Sequence, residues 1–220
     1  MVERLRRAGV AGPRVLAALA RVPRDVFVDE SVRHLAFKDV ALPIEGQQTI
    51  SQPTVVAMMT EALDAGPQDT VLEVGTGSGY QAAVLAELAG EVLTIERQPR
   101  LADLAARRLR HLGYRNAEVV VGDGAAGLPQ RAPFSRILVA AAPPRVPPAL
   151  IEQLGPGGRL VIPVGEAQQQ LLLLTRAPDG ALVRRSLGRV RFVPLLPGVA
   201  APHQEPGPEA GPEAGPEGCR

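Results

Sequence analysis

The sequence predicts an α/β protein: a doubly wound, mostly parallel sheet with an N-terminal helical cap. Three observations lead there. From residue 70 onward, short apolar runs alternate with amphipathic stretches of helical length, the rhythm of βαβ units. The first of those runs, Val71-Leu72-Glu73-Val74, opens into a loop carrying Gly75, Gly77 and Gly79, and a helical stretch to Leu88 follows. Ahead of residue 66 that rhythm is absent and helical segments dominate.

The cap, residues 1–65, starts helix-like with Glu3, Arg4, Arg6 and Arg7. A helix over 13–22, a strand-like stretch over 37–44 and a helix over 51–63 follow. Pro53 falls in the first turn of that last helix, where a missing N–H costs little. Ser51 stands where an N-cap is expected. The core, residues 66–200, opens with a strand over 70–74, a helix over 79–88 and a strand over 91–96. In the helix over 100–112, Leu101, Leu104, Ala105, Leu109 and Leu112 share a face, while Arg107, Arg108 and Arg110 point largely elsewhere. Gly113 suits its C-terminal stop. Strands over 117–121 and 135–140, a short helix over 148–154 and a strand over 159–164 complete the alternation. Final strands are expected over 170–175 and 189–194, with a turn at Pro178-Asp179-Gly180 between them. Right-handed crossovers then put helices on both faces of the sheet. The tail, residues 201–220, repeats Gly-Pro-Glu-Ala and is too poor in apolar side chains to offset the entropy of ordering, so disorder is expected there.

Composition narrows the function classes. Aromatic residues are only 3% of the chain, so Ala, Leu and Val must build most of the core. No window is long and uncharged enough to cross a membrane, and the N-terminus lacks the apolar stretch of a signal peptide. Cys219 is the only cysteine, which excludes an intramolecular disulfide and cysteine metal sites. His34, His111 and His203 are scattered, so no metal is expected; His34 reads as structural and His111 as surface. Four Glu and one Arg give the tail −3, which leaves +4 on the body of a chain whose net charge is +1. That mild balance offers no electrostatic case for nucleic acid. A cytoplasmic monomer is expected.

In an open α/β sheet, ligands bind beyond the carboxyl ends of the strands. The Gly75–Gly79 loop ends the first core strand, Glu96 the second, Asp123-Gly124 the third and residues 140–144 the fourth. Glycines allow a tight turn and close approach of a ligand to main chain. The pattern is Rossmann-like, but its third glycine comes one residue earlier than in the dinucleotide fingerprint, which leaves a nicotinamide dinucleotide and another adenosine-bearing cofactor both open. Glu96 stands near the spacing at which an acid meets the ribose hydroxyls, or else pairs on the surface with Arg97. Asp123 can accept from an adenine amino group, or else serves as a turn residue.

No nucleophile elbow, partnered histidine or Tyr-Lys pair is evident. A reaction requiring strong proton transfer would want a tuned base. A carboxylate attacking an activated methyl group would not, because it is already ionised near pH 7. The sulfonium of S-adenosylmethionine is such a methyl donor, and positioning supplies the rest.

Two runs, Gly46-Gln47-Gln48-Thr49-Ile50-Ser51-Gln52-Pro53 and Val71-Leu72-Glu73-Val74-Gly75-Thr76-Gly77-Ser78-Gly79-Tyr80, resemble signatures of the protein-L-isoaspartate O-methyltransferase family. Pro133-Phe134-Ser135-Arg136-Ile137, Ala140-Ala141-Ala142-Pro143, the run from Leu150 to Gly165, and Phe192-Val193-Pro194-Leu195 follow its pattern. The resemblance spans roughly Val22 to Leu196; the glycine loop is shared by many methyltransferases, whereas Thr-Ile-Ser-Gln-Pro is far more specific. It implies a class I S-adenosylmethionine-dependent methyltransferase. The reaction this resemblance implies is methyl transfer to the L-isoaspartyl carboxylate of damaged proteins, followed by collapse of the ester to a succinimide that can reopen to aspartate. It implies Ser51 at the active site, with Thr49 and Ile50 bordering methyl transfer. Glu73, Gly75, Thr76, Gly77, Ser78, Gly79, Glu96, Asp123, Gly124 and Gln170 fall to the cofactor. Residues 166–169 depart from the Gly-Gly of many relatives, which bears on substrate range and keeps another peptide carboxylate in view as acceptor. A nicotinamide dehydrogenase and a non-catalytic adenosyl-binding module are the remaining alternatives.

Overall fold

A computed structural model describes residues 1–7, 9–10 and 12–201. The disorder expected of the tail, His203 and Cys219 all lie outside the described residues. The cap contains α1 (Val2–Arg7), α2 (Pro13–Arg21), a two-stranded antiparallel hairpin of β1 (Leu42–Ile44) and β2 (Gln48–Ile50), and α3 (Pro53–Leu63). The core follows in alternating order: β3 (Thr70–Val74), α4 (Tyr80–Ala86), β4 (Glu91–Glu96), α5 (Pro99–His111), β5 (Ala117–Val121), β6 (Phe134–Val139), α6 (Pro148–Glu152), β7 (Leu154–Val164), β8 (Gln169–Arg176) and β9 (Leu182–Val190).

Among the described residues, seven strands form one sheet in the order β5-β4-β3-β6-β7-β8-β9. Strands β3 to β7 pair in parallel, and β8 and β9 are added antiparallel at the edge. The central strands read as near-continuous apolar runs because both of their faces are covered. The chain winds outward from β3 to β4 and β5, then returns to place β6 on the other side of β3. That reversal opens a crevice between the carboxyl ends of β3 and β6, the place where such sheets bind ligands. One large apolar cluster joins cap and core: Leu16, Leu19, Phe27, Val56 and Leu63 pack with Tyr80, Leu85 and Val92.

Three expectations are corrected. The strand-like stretch over 37–44 is a strand only from Leu42; residues 36–40 instead form a turn that the buried Arg24 holds through the carbonyls of Ala36 and Val40. The last strand is Leu182–Val190, not residues 189–194. Its alternation is masked by the adjacent Arg184 and Arg185 and by a register shift opposite Leu171 and Leu172, devices that also keep an edge strand from pairing with another chain. Beyond it, Pro194 and Pro197 lack the N–H a ladder needs, and the chain leaves the sheet to cross the carboxyl edge. His34 is exposed rather than structural, as is His111.

Candidate active site

The crevice is an open cleft shared by the cap and the carboxyl edge of the sheet. Its floor is the turn after β3. Gly75, Gly77 and Gly79 have φ of 93°, 54° and 92°, a left-handed run that side chains would resist. Gly75 N and Thr76 N both donate to the carbonyl of Ile95, which anchors the turn to β4.

Glu96 organises the next wall. It is 6% exposed; one carboxylate oxygen accepts from Gly77 N at 3.0 Å and the other from Gln98 N at 3.0 Å. A carboxylate has about four acceptor positions in all, so capacity remains for ligand hydroxyls. Arg97 does not pair with it. Instead, Arg97 Nε and Nη2 donate to the carbonyls of Gly198 and Pro197, and its own carbonyl accepts from Ala200 N. At the end of β5, Gly124 packs so closely that a Cβ there would lie 2.4 Å from Val74 Cγ1. With Val74, Ile95 and Leu195 it makes an apolar slot beside Glu96.

The cap supplies the opposite rim through Gln48, Thr49, Ile50 and Ser51, with Val56 and Met59 of α3 behind them. Ser51 does not cap α3. Gln52 occupies the N-cap position and makes no side-chain cap bond. Asp39 serves instead: its carboxylate accepts from Thr54 N at 2.9 Å and from Thr54 Oγ1 at 2.7 Å. A carboxylate on the orphan amides at a helix start satisfies donors and the helix dipole together. The Ser51 hydroxyl is thereby left free of that duty, on the cleft wall.

The fourth wall is the stretch after β9. Phe192, Val193, Pro194, Leu195 and Leu196 line the cleft. Gln169 pins it: Nε2 donates to the Phe192 carbonyl at 3.0 Å, and Oε1 accepts from Phe192 N at 2.6 Å. Ala142 holds it further, donating to the Val193 carbonyl and accepting from Leu195 N. Gln170, on the next position of β8, is exposed and does not line the cleft. Three consecutive glutamines, Gln168 to Gln170, carry no phase in the sequence; β8 pairing fixes that Gln169 turns toward Phe192.

Of the expected site residues, the cleft brings together Thr49, Ile50, Ser51, Gly75, Thr76, Gly77, Ser78, Glu96 and Gly124. Gly79, Asp123, Glu73 and Gln170 do not line it. Gly79 precedes α4 as its N-cap residue. Asp123 Oδ1 accepts from Ala125 N at 2.9 Å, a local turn bond. Glu73 is fully buried under the glycine turn; it accepts from Thr94 Oγ1 at 2.5 Å, and Thr94 Oγ1 meets Thr76 Oγ1 at 2.7 Å. Burial pushes its carboxyl up to about 8, against the Thr94 hydrogen bond and with added repulsion from Glu96. Glu73 therefore supports the turn through two threonine hydroxyls, and Thr76 is the member of that chain that reaches the cleft.

No group of three or more His, Cys, Asp and Glu side chains is placed to hold a metal among the described residues. A glycine turn, a buried ribose-type acid and an apolar slot at the switch point of a mostly parallel sheet make an adenosine-cofactor site, and the family match makes it that of a class I S-adenosylmethionine-dependent methyltransferase. The protein-L-isoaspartate(D-aspartate) O-methyltransferase family model matches residues 1–200, and the chain belongs to that family. It is 52% identical to the protein-L-isoaspartate O-methyltransferase of Rhodopseudomonas palustris over 199 residues, covering 89% of this chain and 91% of that one. The Aeropyrum pernix enzyme of the same name is 52% identical over 202 residues, covering 89% of this chain and 78% of that one. A solved protein-L-isoaspartate O-methyltransferase superposes with a TM-score of 0.79 at 28% identity, covering 88% of this chain and 65% of that one. A Plasmodium falciparum structure described as a protein-L-isoaspartate O-methyltransferase in complex with S-adenosyl-L-homocysteine has a TM-score of 0.78. At 23% identity, covering 89% of this chain and 96% of that one, it shares the fold.

Proposed function

We propose that the chain transfers a methyl group from S-adenosylmethionine to the side-chain carboxylate of L-isoaspartyl residues in damaged proteins and peptides. The resulting ester collapses to a succinimide that reopens in part to aspartate. The observation that carries the reading is the meeting of two sequence-distant segments on one cleft: Thr49, Ile50 and Ser51 from the cap, and the Gly75–Ser78 turn with Glu96 from the core.

The residues present fit the cofactor. Glu96 accepts from the ribose hydroxyls, with the Gly77 amide fixing its orientation. Gly124, Val74, Ile95 and Leu195 take the adenine face, at a place where a side chain at 124 would intrude. Asp123 precedes Gly124 in the chain, and the oxygen its turn bond does not use is the acceptor we assign to the adenine amino group. When bound, S-adenosylmethionine supplies an electrophilic methyl on a sulfonium for uptake by an ionised carboxylate oxygen. Ser51 donates a hydrogen bond that orients the acceptor carboxylate, and Thr49 and Ile50 border it. Ile50, Val56 and Met59 exclude water around the reacting atoms. A general base is unnecessary, since the carboxylate is ionised at pH 7. Positioning accounts for the acceleration.

The substrates are isoaspartyl proteins and peptides rather than nucleic acid, and the protein works as a cytoplasmic monomer. No helix among the described residues is long and apolar enough to cross a membrane. Incubating an isoaspartyl peptide with enzyme and S-adenosylmethionine, and following products by chromatography, tests the repair sequence. Succinimide and then aspartyl peptide should appear in step with S-adenosylhomocysteine; cofactor turnover with no change in the peptide would refute it.

A further inference from the structure

Among the described residues Arg24 is the largest fully buried side chain, and it forms no direct ion pair there, though the nearby Asp39 carboxylate favours its charge. Its Nε donates to the Ala36 carbonyl at 2.7 Å and its Nη2 to the Val40 carbonyl at 3.4 Å, so one guanidinium brackets the 36–40 turn from both ends. Its Nη1 has no protein partner. The guanidinium carbon lies 4.9 Å from the ring centroid of Tyr80, which also meets Phe27 edge-on at 5.5 Å.

These contacts join both halves of the cleft. Tyr80 opens α4 directly after the glycine turn and lines the cleft itself. Asp39, within the bracketed turn, holds the first turn of α3 through Thr54, three residues after Ser51. One contact path therefore runs from the cofactor turn through Tyr80, Arg24, the 36–40 turn and Asp39 to the segment bearing Ser51.

Stability alone is a poor account of this placement. Desolvation disfavours the charged guanidinium, and two carbonyls, the Tyr80 ring and the charge of Asp39 offset that only in part, so burial still lowers its pKa. Apolar replacements of buried ionic groups are often neutral or stabilising, and the best-attested use of such groups is to fix one arrangement among several. We infer that Arg24 is a positioning residue for methyl transfer, setting the Ser51 segment of the cap in register with the cofactor turn of the core. Its kinetic consequences rest on the methyltransferase reading above; its structural consequences do not.

Arg24→Met keeps length and removes the forked donor, and Arg24→Lys keeps charge but cannot bracket both carbonyls. The Gln81–Thr60 hydrogen bond at 3.0 Å ties α4 to α3 independently, so the helices stay packed in both variants. Four quantities are measured on each: melting temperature, S-adenosylhomocysteine affinity, hydrogen exchange of residues 42–52 without ligand, and steady-state kinetics on an isoaspartyl peptide well below the melting temperature. The expected result is faster exchange over 42–52, S-adenosylhomocysteine affinity within about threefold of wild type, and kcat about tenfold lower with peptide KM within about threefold. Arg24→Met combined with Asp39→Asn should be little worse in kcat than the worse single variant, since both act through one turn. Unchanged exchange with unchanged kcat in a folded variant overturns the inference, as do losses that simply multiply in the double variant. If Arg24→Met fails to fold, Arg24→Lys carries the same comparison. If wild type does not methylate the isoaspartyl peptide, the functional reading fails, and the exchange arm still decides whether Arg24 sets the register of residues 42–52.

Discussion

Both carboxylate oxygens of Asp39 are engaged by Thr54, one by its amide at 2.9 Å and one by its hydroxyl at 2.7 Å. Capping of α3 thus comes from a residue 15 positions upstream, and Ser51, adjacent in sequence to the cap position, is spared for the cleft. The two residues should separate cleanly in experiment. Asp39→Ala should lower stability by about 1–2 kcal/mol in chemical denaturation, the usual cost of a lost cap.

Ser51→Ala should change stability by less than about 0.5 kcal/mol, because no cap bond is lost. Its methyl-transfer rate should fall on the order of tenfold to a hundredfold through misplacement of the acceptor. Parallel denaturation and rate measurements on the two variants check both statements; equal losses of stability and rate in Ser51→Ala would restore a capping role.

Glu96→Ala should weaken S-adenosylhomocysteine binding about a hundredfold by titration calorimetry. The two ribose contacts proposed for Glu96 would be lost together, and Gly77 N would lose its acceptor at the same time. Glu96→Gln should lie between the variant and wild type, since an amide oxygen still accepts.

Gly124→Ala tests the apolar slot. Its Cβ would stand 2.4 Å from Val74 Cγ1, so the Val74 side chain or the turn after β5 must shift. A stability loss of about 1–3 kcal/mol and weaker S-adenosylhomocysteine binding are expected together.

Glu73 gives a pH prediction with a definite sign. Its carboxyl is raised from 4.5 to about 8 by burial, so between those values the folded state holds a proton that the unfolded state has released. Stability from this group is full at low pH and declines as pH rises toward and through 8. The decline should be about 2 kcal/mol between pH 6 and 8. Glu73→Gln, neutral at every pH, should flatten that slope in denaturation curves taken across the range.

Much of this was legible in the sequence because it rests on local chemistry. The 70–74, 91–96 and 117–121 strands fall where apolar runs alternate with helices, and the structure has them with the same bounds. The glycine turn follows from φ values that only its composition tolerates easily. What escaped depends on pairing at a distance. Asp39 and Thr54 meet through the fold of the cap, Gln169 is chosen over Gln170 by the register of β8, and Glu73 is withdrawn from the cleft by the pleat of β3. The edge strand Leu182–Val190 was obscured by its own arginines and register shift, features that protect an edge rather than announce a strand.

The central claim is that this cleft joins a methyl donor to an isoaspartyl carboxylate. Two peptides identical except for an isoaspartyl or an aspartyl linkage at one position, incubated with enzyme and methyl-labelled S-adenosylmethionine, test it most directly. Label should enter the isoaspartyl peptide and leave its aspartyl twin at background; equal labelling of both, or labelling of neither, would contradict the account.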